Sequence, residues 1–430
     1  MKPILQVALD LLNAHRALLI AKESVKGGAD WLEAGTPLIK SEGMDIIRQL
    51  KEKHPSKTIV ADMKTMDTGA FETEMASKAG ADIVVILGAA DESTIIDSVK
   101  SARKYGSKIM IDLIGVRDKV KRAQELEKIG VDYLCIHVGI DEQMMGKTPI
   151  ETLKKITKKT KIPVAVAGGI NSETAPEMIK SGASIIIVGG GITKAKDVCK
   201  ATKLIKKSII DKKVIKTNHF KKYGKKELKK AFSFVSTPNI SDAMHKMGAM
   251  TDIRPVKLGF RMAGQALTVR TIDGDWAKPV EAIDKAKPGE VIVIDVNGGK
   301  TAIWGELATH SAKQKKLAGV VIDGAIRDLD DIIKINFPVF SRHIAPNAGE
   351  PKGLGEIGAE ISCGGQKIRS GDWIIGDDSG AVVVPQEIAQ EIANRALDVK
   401  EHEDRIREEI KTSGSLGKVI NVKKWEKKIG

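Results

Sequence analysis

The chain has 430 residues, of which 42% are hydrophobic, 29% charged and only 3% aromatic, with a formal net charge of +14. That balance is too apolar for a disordered chain, and the length exceeds one ordinary core, so two domains are expected. The absence of any run of about 18 apolar residues excludes a membrane-spanning helix, and three scattered cysteines (Cys135, Cys199, Cys363) exclude a disulfide framework.

The opening Met1–Asn13 segment carries Asp10 within its apolar run and no cleavage site, so it reads as structure rather than as a signal peptide. Together with the unpaired thiols it points to a reducing cytoplasm. From residue 4 to about 210, short apolar runs alternate with amphipathic segments. The runs are Ile4–Asp10, Trp31–Gly35, Thr58–Lys64, Asp82–Gly88, Lys108–Gly115, Asp132–Gly139, Pro163–Gly169 and Ser184–Gly190. Most are β-branched and uniformly apolar, the texture of parallel strands buried on both faces. Helical patterns such as Ser41–Lys53 and Lys119–Ile129 lie between them, and several end in Gly-Ala-Asp or Gly-Val-Asp, where glycine suits a left-handed cap. Eight such units in residues 1–210 predict an α/β fold of the TIM (β/α)₈ type. An open doubly wound sheet is the alternative.

Residues 211–230 are rich in lysine and poor in apolar side chains, and they read as a polar tether with some helix. The lysine pairs between Lys194 and Lys230 leave two readings open: a solvated helix and linker, or a surface for nucleic acid or another acidic partner. No Arg–aromatic interleaving or zinc-knuckle spacing marks a dedicated RNA module.

Residues 231–430 form the second expected domain. Strand-like runs fall at Gly264–Arg270, Val291–Val296, Gly319–Asp323, Pro338–Phe340, Trp373–Gly376 and Ala381–Pro385. Helical patterns fall at Ile240–Met247, Gly305–Leu317, Leu329–Ile335 and Glu387–Thr412. This is a mixed α/β domain without simple βαβ periodicity, and its basic end, Lys418–Gly430, carries little information.

In a (β/α)₈ barrel the chemistry sits at the C-terminal ends of the strands. Those ends carry Asp10, Glu33, Asp62 with Lys64 and Asp67, Asp112, His137, Gly168-Gly169 and Gly189-Gly190. Glu33 and Asp62 offer the hard oxygen ligands that Mg²⁺ or Mn²⁺ takes, with substrate and water completing the shell. Lys64, two residues beyond Asp62, is expected on the same interior face. Asp10 and the two glycine pairs are the candidates for holding substrate, the glycine amides after the last two strands being suited to phosphate.

The segments Leu5–Asp10, Glu33-Ala34-Gly35-Thr36-Pro37 and Asp62-Met63-Lys64-Thr65-Met66-Asp67 resemble the signature of the orotidine-monophosphate-decarboxylase superfamily. More narrowly they resemble its Mg²⁺-dependent branch of hexulose-phosphate synthases and keto-gulonate-phosphate decarboxylases. Two positions favour the synthase pattern: Asp112, where the decarboxylase has Glu, and aliphatic Ile140 within His137–Gln143, where the decarboxylase has Arg. One departure is Gly189-Gly190-Gly191, which lacks the decarboxylase's phosphate-gripping Arg. The resemblance implies a reversible aldol reaction between ribulose 5-phosphate and formaldehyde, with Lys64, Asp112 and His137 catalytic and His137 the base. It also implies a homodimer in which Asp67 reaches the neighbouring protomer's site.

Downstream, Glu306 is followed after twenty residues by Arg327-Asp328, with the loop Asn297-Gly298-Gly299 upstream and Gly371–Trp373 and Gly376–Gly380 beyond. These features resemble the RraA-like family of ribonuclease regulators and metal-dependent aldolases, over roughly residues 231–400. That resemblance implies a swivelling β/β/α fold that commonly trimerises. Arg327 would hold a pyruvate-type carboxylate, Asp328 the metal, Glu306 a metal-bound water, and the Gly298 and Gly299 amides the substrate carboxylate. A regulator of RNA turnover without catalysis is the competing reading of this half.

Overall fold

The computed structural model describes residues 2–146 and 148–426, and it divides into two compact units. The first comprises Met1–Lys222 together with Glu401–Gly430; the second is Tyr223–Lys400. No helix among the described residues is long and apolar enough to cross a membrane.

The first unit is a closed parallel barrel of eight strands in sequence order, β1 (Ile4–Leu9), β2 (Trp31–Ala34), β3 (Thr58–Thr65), β4 (Ile83–Leu87), β5 (Lys108–Asp112), β6 (Tyr133–His137), β7 (Val164–Ala167) and β8 (Ile185–Val188). β1 pairs in parallel with β8, which closes the ring. Leu5, Val7, Leu9, Leu32, Ile59, Val84, Ile109, Ile111, Val166 and Ile186 are buried in one continuous cluster between the strands and the surrounding helices. The inward row includes Val60, Val85, Met110, Cys135, Ala165 and Ile187. This double burial explains the uniformly apolar runs, since neither face of a barrel strand meets water.

Two segments outside the expected barrel belong to this unit. Residues 211–222, the first part of the expected polar tether, are one of them. The chain after the helix Val198–Asp211 docks on the loop that follows β7: Ile215 N–H donates to Ser172 O (3.2 Å), and Ser172 Oγ donates to Ile215 O (2.7 Å). Asn171 Nδ2 donates to Phe220 O (3.1 Å), and the buried Phe220 ring occupies the space that a side chain on Gly190 would need. A few apolar residues decide the path of this lysine-rich stretch, because burying one Phe outweighs leaving many lysines solvated. The second segment is the chain end. The 25-residue helix Ala389–Ser413, close to the expected Glu387–Thr412, is divided between the units at Glu401. The short helices Leu416–Ile420 and Val422–Trp425 follow, and residues 427–430 of the expected basic end lie outside the described residues.

The second unit is built on a nine-stranded mixed sheet. Its centre is parallel: Met262–Arg270, Val291–Asp295, Gly319–Ile326 and Val339–Ile344 lie side by side. Trp373–Asp377 and Gly380–Val384 extend it antiparallel. The six expected strands are all present. The strand Gly319–Ile326 is buried along its whole length, as a central parallel strand requires. The helix Ala277–Lys285 is additional to the expected elements, as are short strands such as Ala302–Trp304 and Ile361–Cys363, whose three residues are too few to show a period.

The docking of residues 213–222 has a direct consequence. Phe220→Ala should destabilise the first unit by about 3 kcal/mol and open Lys216, Lys221 and Lys222 to trypsin. Native protein cleaved at these lysines as fast as an unfolded peptide would show that the segment is not docked.

Candidate active site

The C-terminal ends of β1, β2, β3, β5 and β6 bring Asp10, Glu33, Asp62, Lys64, Asp112 and His137 into one field of charge. At its centre is Lys64. Its Nζ donates to Asp112 Oδ2 (2.8 Å) and to Asp62 Oδ1 (3.2 Å). The expected same-face placement is reached by an irregularity rather than by simple alternation. Register between β3 and β4 shifts between Ala61 and Thr65, and Lys64 has a left-handed backbone (φ 48°). Such a conformation is costly for a side chain other than glycine, and it re-aims the lysine toward the two acids.

Asp112 is 1% exposed, and three neighbours hold its carboxylate. Ile114 N–H donates to Oδ1 (2.9 Å), while Lys64 and His137 Nδ1 (3.0 Å) share Oδ2. Burial alone would raise its pKa. The bond from His137 and the charge of Lys64 outweigh that, and hold Asp112 at about 2. Asp112 is therefore an anion at any ordinary pH, so His137 Nδ1 carries the proton in their bond. In the neutral ring Nε2 is then the nitrogen with a free lone pair. Burial also works against the Lys64 ammonium, but the charges of Asp62 and Asp112 prevail and raise it above the ordinary lysine range.

The other side of the mouth is short of positive charge. Burial first, then Asp62 and Asp10, push Glu33 well above the usual carboxylate range. Asp10 is raised by its protein surroundings and by Asp62, although water reaches it through the open mouth. Two residues not singled out from the sequence support these acids. Gln6 Nε2 donates to Glu33 Oε2 (2.5 Å), while Gln6 Oε1 is buried without a hydrogen-bond partner. Thr36 Oγ1 lies 2.8 Å from both Asp62 Oδ2 and Asp62 O. Gln6 was legible as the lone polar residue within a buried strand. Thr36 belongs to the quoted Glu33–Pro37 segment, but nothing in that segment reveals its reach to β3.

Crowded carboxylates with raised pKa values and an orphaned amide oxygen are a donor set that fits a divalent cation. Among the described residues no group of three or more His, Cys, Asp or Glu side chains forms a ready-made cage. Two carboxylates, with substrate and water for the rest, is the usual manner of Mg²⁺.

The glycine pairs line the same mouth. Gly168 (φ 112°) and Gly169 (φ 65°) have left-handed backbones, and a Cβ on Gly168 would meet Val138 O at 2.6 Å. The amide group of Gln143 lies against both glycines. A Cβ on Gly189 would lie 3.3 Å from Asp10 Oδ2, so β8 ends beside the acid of β1. Lys194, at the end of the short helix Gly190–Thr193, lowers the Asp10 pKa, so its charge is felt in the mouth. Asp67 does not join the cluster. It is exposed and accepts from Thr68 N–H (2.7 Å), with Met66 and Phe71 exposed nearby in sequence. The side chain of Ile140 lies outside the described residues.

In the second unit, the turn after the strand Gly319–Ile326 unites Arg327, Asp328 and Glu306. Asp328 is left-handed (φ 57°), and its Oδ2 accepts from Glu306 N–H (3.2 Å) and lies 3.4 Å from Arg327 Nε. A Cβ on Gly305 would fall 2.5 Å from that oxygen, so only glycine permits the approach. His310 Nε2, one turn along the helix Glu306–Gln314, lies 3.5 Å from Glu306 Oε1. The amides of Gly298 and Gly299, expected from the sequence to face a substrate carboxylate, donate in this structure to Asp323 O and Val296 O (3.0 Å each), where the loop folds back on its own strands.

Comparison with known proteins assigns both halves. Residues 3–205 match the Orotidine 5′-phosphate decarboxylase / HUMPS family, and residues 237–383 match Aldolase/RraA. A 3-hexulose-6-phosphate synthase of Bacillus subtilis (strain 168) is 43% identical over 209 residues, 98% of that protein and 48% of this chain. Its counterpart in Mycobacterium gastri is 42% identical over 205 residues, 99% of that protein and 48% of this chain. A crystal structure of 3-hexulose-6-phosphate synthase aligns at 42% identity over 49% of this chain and all of its own, with a TM-score of 0.46. Through its N-terminal barrel, the chain belongs to the Orotidine 5′-phosphate decarboxylase / HUMPS family and is an enzyme of the lyase class, with an RraA-like region following the barrel.

Proposed function

We propose that the barrel catalyses the reversible Mg²⁺-dependent aldol addition of ribulose 5-phosphate to formaldehyde, giving 3-hexulose 6-phosphate. The observation that carries this reading is the chain of bonds from Lys64 Nζ through Asp112 to His137 Nδ1, which presents a base and a fixed ammonium side by side. His137 Nε2 removes the C1 proton of the ketose, and Asp112 keeps the ring in the tautomer that allows it. Lys64 stays protonated and hydrogen-bonds the oxygen where enediolate charge develops. C1 then attacks formaldehyde, and the new alkoxide takes a proton from the imidazolium. Glu33 and Asp62 would hold the divalent cation, which supplies positive charge against the two oxygens of the enediolate.

Asp10 and the amides at Gly168-Gly169 and Gly189-Gly190 hold the substrate, with Lys194 providing the cation that the missing arginine leaves open. The aliphatic Ile140 and the short acid Asp112 favour aldol chemistry over decarboxylation of a keto-gulonate phosphate. The free thiols of Cys135, Cys199 and Cys363 support a cytoplasmic location. For the second unit the favoured reading is metal-assisted chemistry on a small keto acid, with Arg327 taking the carboxylate and Asp328 and Glu306 the metal side. Their convergence at one turn is the support for it.

The full chain should condense formaldehyde with ribulose 5-phosphate in the presence of Mg²⁺. Asp62→Ala or Lys64→Ala should each lower kcat by about a hundredfold or more. Because Glu33 is raised in the folded protein, Mg²⁺ binding should release protons and tighten as pH rises. Calorimetry in buffers of different ionisation enthalpy measures that release. Full turnover after chelation, or metal binding indifferent to pH, contradicts the assignment.

The exposed apolar side chains of Met66 and Phe71 on either side of Asp67 in sequence favour a dimer in which Asp67 serves the partner's site. Mixed Asp67→Ala and Lys64→Ala protomers should then recover part of the lost activity through hybrid dimers. No recovery despite proven subunit exchange excludes a shared site.

For the second unit, Mg²⁺ or Mn²⁺ should support slow decarboxylation of oxaloacetate or cleavage of a pyruvate aldol. Arg327→Ala should abolish it with the circular dichroism unchanged. Absence of divalent-metal binding, with RNA or a ribonuclease bound instead, would establish the regulator reading.

A further inference from the structure

The residues after Ser413 return to the loops that carry the acids of the barrel mouth. The approach begins within the preceding helix. Arg405 and Glu409, each only 5% exposed, bond to one another. Arg405 also reaches Glu23, and Glu409 reaches Arg16 at 2.6 Å. Both partners lie on the helix Ala14–Lys26 that follows β1. Along Arg405 to Glu409 the contacts step from Glu23 back to Arg16, so the chain advances toward the end of that helix nearest Asp10. Gly414, with a left-handed backbone (φ 76°), permits the turn into Leu416–Ile420, whose Val419 is buried.

The destination is a three-part anchor. Lys424 Nζ donates to Glu42 Oε1 (2.5 Å), Ser41 Oγ (2.8 Å) and Leu12 O (3.1 Å). Ser41 Oγ lies 2.8 Å from Leu12 O, and Glu42 Oε1 also accepts from Ala14 N–H (3.2 Å). Leu12 lies two residues beyond Asp10. Ser41 and Glu42 end the helix Thr36–Glu42, whose first residue bonds to Asp62. One ammonium thus ties together the loops after β1 and β2, and a single short helix separates it from a proposed metal ligand.

The family match ends at residue 205, and 209 residues of this chain account for 98% of the Bacillus relative. The anchor is therefore something this chain adds to the barrel. We propose that the segment 414–426 is a strap that pre-orders the β1 and β2 loops for substrate, with Lys424 as its positioning residue. It rests on the barrel mouth being the site of turnover. Its physical effect is on population: loops held in their bound arrangement spare the substrate the cost of ordering them, so apparent affinity rises with the fraction already ordered. Once substrate is bound, its own contacts order the loops, so kcat depends little on the strap.

The test uses the full chain, Lys424→Met, Lys424→Arg and a chain ending at Ser413. Steady-state kinetics with ribulose 5-phosphate and formaldehyde would be read beside hydrogen exchange of residues 10–14 and 36–43. The expected result is a KM for the sugar phosphate raised roughly tenfold in Lys424→Met and in the shortened chain, the scale of a lost charge-assisted hydrogen bond. kcat should stay within about twofold, the two loops should exchange faster, and Lys424→Arg should restore most of both effects. KM and loop exchange unchanged in both defective variants would overturn the strap. Should the full chain show no turnover at all, the reading of the barrel's activity fails. Hydrogen exchange alone then decides the strap, unchanged loop protection refuting it.

Discussion

The barrel mouth depends on the ammonium of Lys64. Four carboxylates, Asp10, Glu33, Asp62 and Asp112, feel its charge, and it bonds directly to two of them. Removing one partner of such a buried pair costs on the order of 3 kcal/mol, because the other charge is left without compensation. The arrangement is lopsided. On the Asp112 side the lysine and His137 hold a carboxylate fully ionised, while on the Glu33 side like charges and burial raise the acids. One mouth therefore holds both a permanent anion, bonded to His137 Nδ1, and acids that gain from a cation.

Both units place their key charges with the same local device. Lys64 and Asp328 are residues with side chains held in the left-handed region at or just after the end of a parallel strand. Each conformation costs on the order of 1 kcal/mol, and ion pairs and hydrogen bonds keep the residue there. In the second unit glycine at position 305 is what lets the Asp328 carboxylate approach the helix beginning at Glu306. In both halves these charged clusters thus rest on short irregular stretches framed by regular strands.

Much of this was legible without coordinates. The eight barrel strands follow from uniformly apolar runs ending in polar residues, since a strand buried on both faces leaves no alternation to misread. The same ends named the acids, the lysine and the histidine. Gln6 and Thr36 were not named, because a supporting role shows only when another strand's carboxylate is found beside them. The backbone partners of the Gly298 and Gly299 amides were not legible either, because a glycine-rich loop reveals nothing about where its N–H groups point. The path of residues 213–222 was hidden by composition: Ile215 and Phe220 are few among lysines, yet the bonds of the one to Ser172 and the burial of the other decide where the stretch lies.

Periodicity and local motif determined the class of each half, the strand ends and the residue types at the barrel mouth. These depend on neighbours within a few positions, where the rules of burial and turn chemistry act directly. Only the tertiary structure decided which oxygen of Asp112 His137 and Lys64 share, and that β3 bends to bring Lys64 to it. It alone brought Arg405, Glu409 and Lys424 onto the barrel from roughly 400 residues away in sequence. Charged side chains can pair across any separation, and nothing in the sequence distinguishes the lysine that finds Glu42 from the many that stay in water.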